Sequence, residues 1–165
     1  MARQALKDGH ASGAAMQLAK IETELESALE ELRELARGIH PAVLTDRGLA
    51  DALEMLAVRS TVPVEVEEAP AERVSPQVEA AVYYVVAEAL TNVAKYARAR
   101  VASVRVFHED GALVAEVEDD GVGGANASNG SGLRGLADRV EALDGRLEVE
   151  SPRRGPTILR ATIPV

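Results

Sequence analysis

Two short apolar-rich runs, Val101 to His108 and Ala112 to Val117, stand on either side of Glu109-Asp110-Gly111. Such runs read as strands, and Asp-Gly is a turn that folds them back antiparallel. The chain therefore contains a β-hairpin, and its other elements must pack on a sheet. Further strands are predicted at Val62–Glu67, where Val62, Val64 and Val66 alternate with Glu65 and Glu67. Arg146–Ser151 and Thr157–Ile163 form a second hairpin. Three helices accompany these strands. Asp46–Ala57 puts Leu49, Ala52, Leu53 and Leu56 on one face, with Thr45 or Asp46 as the N-cap. Pro76–Ala97 opens with Ser75 and then Pro76 at its first position. Leu133–Leu143 is amphipathic and closed by Gly145. Helices over one face of a mostly antiparallel sheet make an α+β fold, a two-layer α/β sandwich.

Ahead of it, Ala14–Ile39 is one long helical pattern. Leu18, Leu25, Leu32 and Ile39 recur every seven residues, and Ile21, Ala28 and Leu35 fill the second heptad position. This is a coiled-coil-like seam, ended by Pro41 after Gly38. One amphipathic helix cannot bury its stripe on itself. Homodimer formation through the Ala14–Ile39 helix is the expectation, and docking back on the same chain is the alternative. The expected division is residues 1–44 as a dimerisation-type segment and 45–165 as the globular domain.

With 165 residues the chain suits one buried domain plus an extra element. Its net charge of −9 argues against a nucleic-acid partner, which needs a basic surface. The acidic run Glu22–Glu34 reads as a solvated helix face. Without cysteine there is no disulfide and no thiolate chemistry. No membrane segment is seen, since the longest apolar stretch, around Val82 to Leu90, is interrupted by Glu88. No signal pattern is seen either. The expected location is cytoplasmic, whether or not a longer parent is membrane-anchored.

Three features carry chemistry. Along Pro76–Ala97, Val82, Val85, Ala89, Val93 and Ala97 form the core face. Glu88, Asn92 and Lys95, spaced by four and three, fall on another stripe with Tyr84 and Tyr96 nearby. A carboxylate, an amide and an ammonium in line suit phosphate and Mg²⁺, and equally a plain solvated face. Next, Ala112–Val117 runs into Glu118-Asp119-Asp120-Gly121-Val122-Gly123-Gly124. Here an acid at a strand end can accept from an amino group, and the glycines allow the bend. Ordinary turns use the same residues. Last, Gly130-Ser131-Gly132-Leu133-Arg134-Gly135 opens a helix, which suits anionic oxygens or a simple N-cap.

Together and in this order, these residues resemble the nucleotide-binding motifs of sensor histidine kinases. Glu88 to Ala97, EALTNVAKYA, is similar to their asparagine box. Asp119 to Gly123 resembles the first glycine box, and Gly130 to Leu136 the second. The resemblance is greatest to the subclass that signals through LuxR-type response regulators. Ala36-Arg37-Gly38-Ile39-His40-Pro41-Ala42-Val43-Leu44 with Gly48-Leu49 resembles the end of that subclass's dimerisation domain. The resemblance implies the Bergerat ATP-binding fold shared with gyrase, a heat-shock chaperone and MutL, with ATP and Mg²⁺ as ligands. It implies Asn92 on Mg²⁺, Glu88 polarising a metal-bound water or helping the transfer, and Lys95 on the phosphates. Asp119 would accept the adenine amino group, Gly121 and Gly123 would shape the wall, and Thr157 would support Asp119. Gly130, Ser131, Gly132, Leu133 and Gly135 would line the phosphate side. The transfer would rest on positioning and charge neutralisation.

The sequence departs from that family in three places. Tyr96 stands where the family has histidine, and Pro156 where glycine precedes Thr157. The acceptor is the third: the family carries a histidine followed by an acid on the first of two dimerisation helices. His10 precedes Ala11, His40 precedes Pro41, and His108 precedes Glu109 but ends a strand, so no phosphoacceptor is found. Leu6-Lys7-Asp8-Gly9 resembles the acceptor stretch with lysine for histidine. The expected activity is ATP-dependent phosphotransfer to a histidine-bearing dimerisation domain in trans, for relay to a response regulator. The alternatives are an anti-sigma-type serine kinase of the same fold and a non-catalytic nucleotide-binding dimerisation module.

Overall fold

The computed structural model describes Met16, Leu18, Ile21, residues 41–125 and residues 131–165. The chain divides into two compact units, Met1–His40 and Pro41–Val165. In the first, Met16, Leu18 and Ile21 are helical with exposed side chains. The rest of the heptad seam, with Lys7, His10 and His40, lies outside the described residues.

The second unit is built on a five-stranded sheet. Its strands are β1 (Val64–Glu68), β2 (Ala102–Glu109), β3 (Ala112–Asp119), β4 (Arg146–Glu150) and β5 (Thr157–Pro164), in the order β1-β2-β3-β5-β4. β1 runs parallel to β2, and the remaining pairs are antiparallel. The one parallel pair needs a crossover, which a helix supplies. The helices are α1 (Ala42–Arg59), α2 (Pro76–Asn92) and α3 (Ser131–Glu141). Among the described residues, no helix is long and apolar enough to cross a membrane.

The β2–β3 turn forms as its two residues dictate. Asp110 has φ 48 and Gly111 φ 78, the two positive values of a type I′ turn. β3 then runs two residues past its predicted end, to Asp119. It is paired on both sides there, opposite Ala102 of β2 and Thr157 of β5. Asp119 is thus the last rung of a central strand.

α2 crosses the middle of the sheet. Ser75 caps it, its hydroxyl accepting from the Val78 amide at 3.4 Å. Val82, Val85 and Val86 are wholly buried against Val104, Val106, Leu113, Ala115, Leu159, Ala161 and Ile163. Leu44, Leu49 and Leu53 of α1 and Leu136 and Val140 of α3 extend the same core.

Two elements differ from the sequence reading. The helix expected from Asp46 begins at Ala42 instead, after Pro41, and breaks at Gly48, which has φ 84 and ψ −179. Neither Thr45 nor Asp46 caps it. Beside the break, Arg73 donates to the Leu44 carbonyl at 2.9 Å and grips Glu79 with two bonds of 2.7 and 2.9 Å. That grip is what lets Glu79 sit 1 % exposed. The helix expected over Pro76–Ala97 is α-helical only to Asn92. Val93–Ala97 is a π-helical turn, and Arg98 ends it at φ 52.

On the sheet face away from the helices, one row crosses all five strands in register. Glu68, Arg105, Glu116, Arg160 and Glu148 follow each other with alternating sign. Arg105 and Arg160 lie 3.5 and 3.1 Å from Glu116. Both guanidinium groups also cover Phe107, at 4.9 and 5.8 Å from the ring centre.

Candidate functional site

The C-terminal end of α2 is where the predicted residues gather. Glu88 and Asn92 are half-buried on its α-helical part. The π-helical turn carries Lys95 and Tyr96 beyond it, both exposed, with Tyr96 at 69 %. Lys95 therefore does not continue the Glu88–Asn92 stripe at α-helical spacing, because each residue of a π turn advances through a smaller angle. The Ala97 carbonyl, at the end of the turn, accepts from the Val122 amide at 2.9 Å. Gly121 is pressed on the same spot. A Cβ there would overlap the Ala97 oxygen and lie 2.5 Å from Asp119 Oδ1. The glycine loop after β3 is thus seated on the π turn, and only glycine fits.

The two consecutive acids of that loop do different work. Asp120 is exposed and accepts from the Arg100 and Val101 amides at 2.6 and 3.1 Å and from Arg100 Nε at 3.1 Å. Those backbone bonds hold its carboxyl below the usual range. Asp120 ties down the loop before β2. Asp119 faces inward, 5 % exposed, where burial raises its carboxyl above the usual range. Bonds from the Gly121 amide, at 2.9 Å, and from the Thr157 hydroxyl oppose that rise in part, while the charge of Asp120 adds to it. A carboxylate offers about four acceptor directions, so Asp119 keeps capacity for a ligand donor.

The start of α3 closes on the same helix. A Cβ on Gly132 would overlap Glu88 Oε1 and lie 3.2 Å from its Cδ. Seven residues on, the Arg139 guanidinium covers the Tyr84 ring at 4.5 Å. Glu88 and Tyr84 are one turn apart, so α3 runs back along α2. Ser131 is the first residue of α3, and Leu133 and Gly135 are half-buried in it. Gly130 lies outside the described residues.

The segment between β4 and β5 completes the loop's seat. Gly123, at φ 62, passes so near that a Cβ would overlap the Pro152 oxygen and lie 2.6 Å from the Gly155 oxygen. The Arg154 amide donates to the Val122 carbonyl at 2.8 Å, and the Gly124 amide to the Ser151 carbonyl at 3.2 Å. Pro156 stands just outside β5, so its missing N–H removes no rung of the ladder, and Thr157 keeps its register with Asp119.

Three participants escape the sequence reading: Ala97, through its carbonyl, Asp120, as an anchor, and Ser151. Asp120 sits in a motif that drew attention to its neighbour. Ser151 has no local signal, because only the β4–β5 register brings it beside Thr157. His108 is exposed on β2 opposite Leu113. Among the described residues, no cluster of three or more acids or histidines forms a metal site on its own.

No family model matches the chain. It is 30 % identical over 145 residues to the sensor histidine kinase MctS of Rhizobium johnstonii, covering 81 % of this chain and 32 % of that protein. It is 36 % identical over 143 residues to the sensor histidine kinase NarS of Mycobacterium tuberculosis, covering 79 % and 33 %. With the oxygen sensor histidine kinase NreB of Staphylococcus carnosus it shares 28 % over 155 residues, covering 88 % and 45 %. The chain thus spans 32–45 % of the length of these relatives. Among solved structures, it is similar to the histidine kinase domain of a blue-light activated histidine kinase from Erythrobacter litoralis. The TM-score is 0.57 at 28 % identity, over 70 % of this chain and 57 % of that one. Another structure of the blue-light activated kinase matches at TM-score 0.58 and 26 % identity, over 93 % and 51 %.

Proposed function

We propose, from the premise that the chain belongs to the sensor histidine kinase family and carries its catalytic-domain fold, that the space beside Asn92 binds ATP with Mg²⁺. The γ-phosphoryl group goes to a histidine on a dimerisation domain supplied in trans, for relay to a response regulator of the LuxR type. In this reading residues 1–44 are the dimerisation-type segment, pairing two copies through Ala14–Ile39, and 45–165 the ATP-binding domain. The location is cytoplasmic.

The observation that carries the reading is convergence on the last turns of α2. The Asp119 loop rests on Ala97, and the start of α3 rests on Glu88. The buried Asp119 carboxylate, with acceptor capacity left, suits the amino group of adenine. The glycines at 121 and 132 are cradles where any side chain would overlap the site's own atoms. Since no acidic cluster stands ready among the described residues, Mg²⁺ would be held by Asn92 together with phosphate oxygens. Bound Mg·ATP supplies the transferable phosphoryl group and neutralises the charge that builds on it. The chain's own part is to bind and orient. Asn92 would offer its amide oxygen to the metal, Glu88 would polarise a metal-bound water or help the transfer, and Lys95 on its wider turn would reach toward the phosphates. Tyr96, Gly123, Ser131, Leu133 and Gly135 would line the remaining walls, with Thr157 behind Asp119, and the same role is proposed for Gly130, outside the described residues. The relatives are named as histidine kinases, which favours this reading over a serine kinase.

Calorimetric titration with ATP, with and without Mg²⁺, tests the site. A histidine-bearing dimerisation domain incubated with labelled ATP tests the transfer, since phosphohistidine is acid-labile and phosphoserine is not. Wild-type protein with no affinity for ATP in either condition ends the proposal.

A further inference from the structure

Ser151 bonds in two directions at once. Its hydroxyl oxygen accepts from the Ala125 amide at 2.9 Å and lies 2.9 Å from the Thr157 hydroxyl. Thr157 stands opposite Asp119 in the β3–β5 ladder, and its hydroxyl bonds the Asp119 carboxylate. The four groups form one chain, from the amide of the glycine loop to the buried acid.

One end of this chain fixes its direction. A backbone amide can only donate, and an ionised carboxylate can only accept. Thr157 faces the carboxylate, so its own proton goes to Asp119 and cannot serve Ser151. The proton between the two hydroxyls is then that of Ser151, while a lone pair of Ser151 takes the Ala125 amide. The direction is thus set from the carboxylate end. Each bond also polarises the next, so the last one is stronger than an isolated hydroxyl would make it.

We infer that Ser151 is a positioning residue for base recognition: its hydroxyl strengthens the Thr157 bond to Asp119, which keeps that carboxylate a pure acceptor for an amino group of the bound base. This rests on the nucleotide reading above. Ser151 does not touch the base. It acts through Thr157, and without it the Thr157 oxygen loses its incoming donor and its bond to Asp119 weakens. The loop itself stays seated, because the Ser151 carbonyl still accepts from the Gly124 amide.

The test compares ATP with purine riboside triphosphate, the same molecule without the 6-amino group, by calorimetry on wild type, Ser151→Ala and Ser151→Thr. Ser151→Ala should lose about three- to tenfold in ATP affinity, the range of one hydrogen bond, and less than about twofold for the analogue. Ser151→Thr, which keeps the hydroxyl, should bind ATP as wild type does. Equal losses for both nucleotides would mark a merely structural role and overturn the inference, and so would no loss at all. If Ser151→Ala does not melt cooperatively, Ser151→Cys makes the same comparison with a thiol that donates only weakly. Wild type binding neither nucleotide is a separate result. It removes the nucleotide reading, whereas wild type binding ATP with unchanged variants removes only the role of Ser151.

Discussion

Gly132 lies against Glu88 so closely that a single added carbon would overlap the carboxylate. This fixes the start of α3 on the helix that carries Asn92. What yields in an enlarged side chain here is the far end of Glu88, which is flexible, rather than backbone. Gly132→Ala should therefore melt within about 1 kcal/mol of wild type, yet displace Glu88. Phosphotransfer should fall roughly tenfold or more, equivalent to about 1.4 kcal/mol in the barrier. Paired melting and transfer measurements check this. A double variant with Glu88→Ala should lose little beyond either single one, because both act on one carboxylate.

Asp119 and Asp120 should respond to pH in opposite ways. Burial raises the Asp119 carboxyl in the folded protein, so its ionised form opposes folding. That penalty is absent below the ordinary carboxylate range and grows as pH rises through the folded value. Asp119→Asn should hence be as stable as wild type or more so at pH 7, with the difference shrinking toward acid. The same variant should lose about tenfold to a hundredfold in ATP affinity, since a charged acceptor is gone. For Asp120 the backbone amides lower the carboxyl, so it stabilises above the ordinary range, and that support is lost as pH falls through the folded value. Asp120→Asn should melt lower than wild type at pH 7 and approach it in acid. Melting curves across pH decide both.

Leu53 of α1 is 1 % exposed in the core shared with α2. Leu53→Ala should cost about 2–5 kcal/mol, from lost apolar burial and the cavity left behind. Urea unfolding followed by circular dichroism measures it.

Lys95 is exposed on the π turn, so its removal should leave stability within about 0.5 kcal/mol. Lys95→Ala should weaken ATP binding several-fold. The deficit should shrink between low and high salt, because an exposed charge is screened over about 10 Å at 0.1 M. An ATP titration at two ionic strengths reads this out.

Where local chemistry decides the outcome, the sequence was enough. Asp110-Gly111 can hardly do anything but turn, and Ser75-Pro76 is a helix start in any context. The three motif stretches were visible because each needs particular residue types side by side. The break at Gly48 was hidden because Leu49, Ala52, Leu53 and Leu56 keep helical spacing beyond it. The π turn was hidden because Val93–Ala97 contains no breaker, and its widening belongs to the docking of Val122 on Ala97. The path from Ala125 to Asp119 depends on strand register, which no single stretch of sequence contains.

The alternating row from Glu68 to Glu148 has a consequence for how this molecule meets others. A bare sheet face is a natural surface for stacking on a second sheet. To stack here, a partner would have to strip water from three carboxylates and two guanidinium groups, and would gain almost nothing in return. Encounters through that side are discouraged by this desolvation, and association is steered to the rest of the surface.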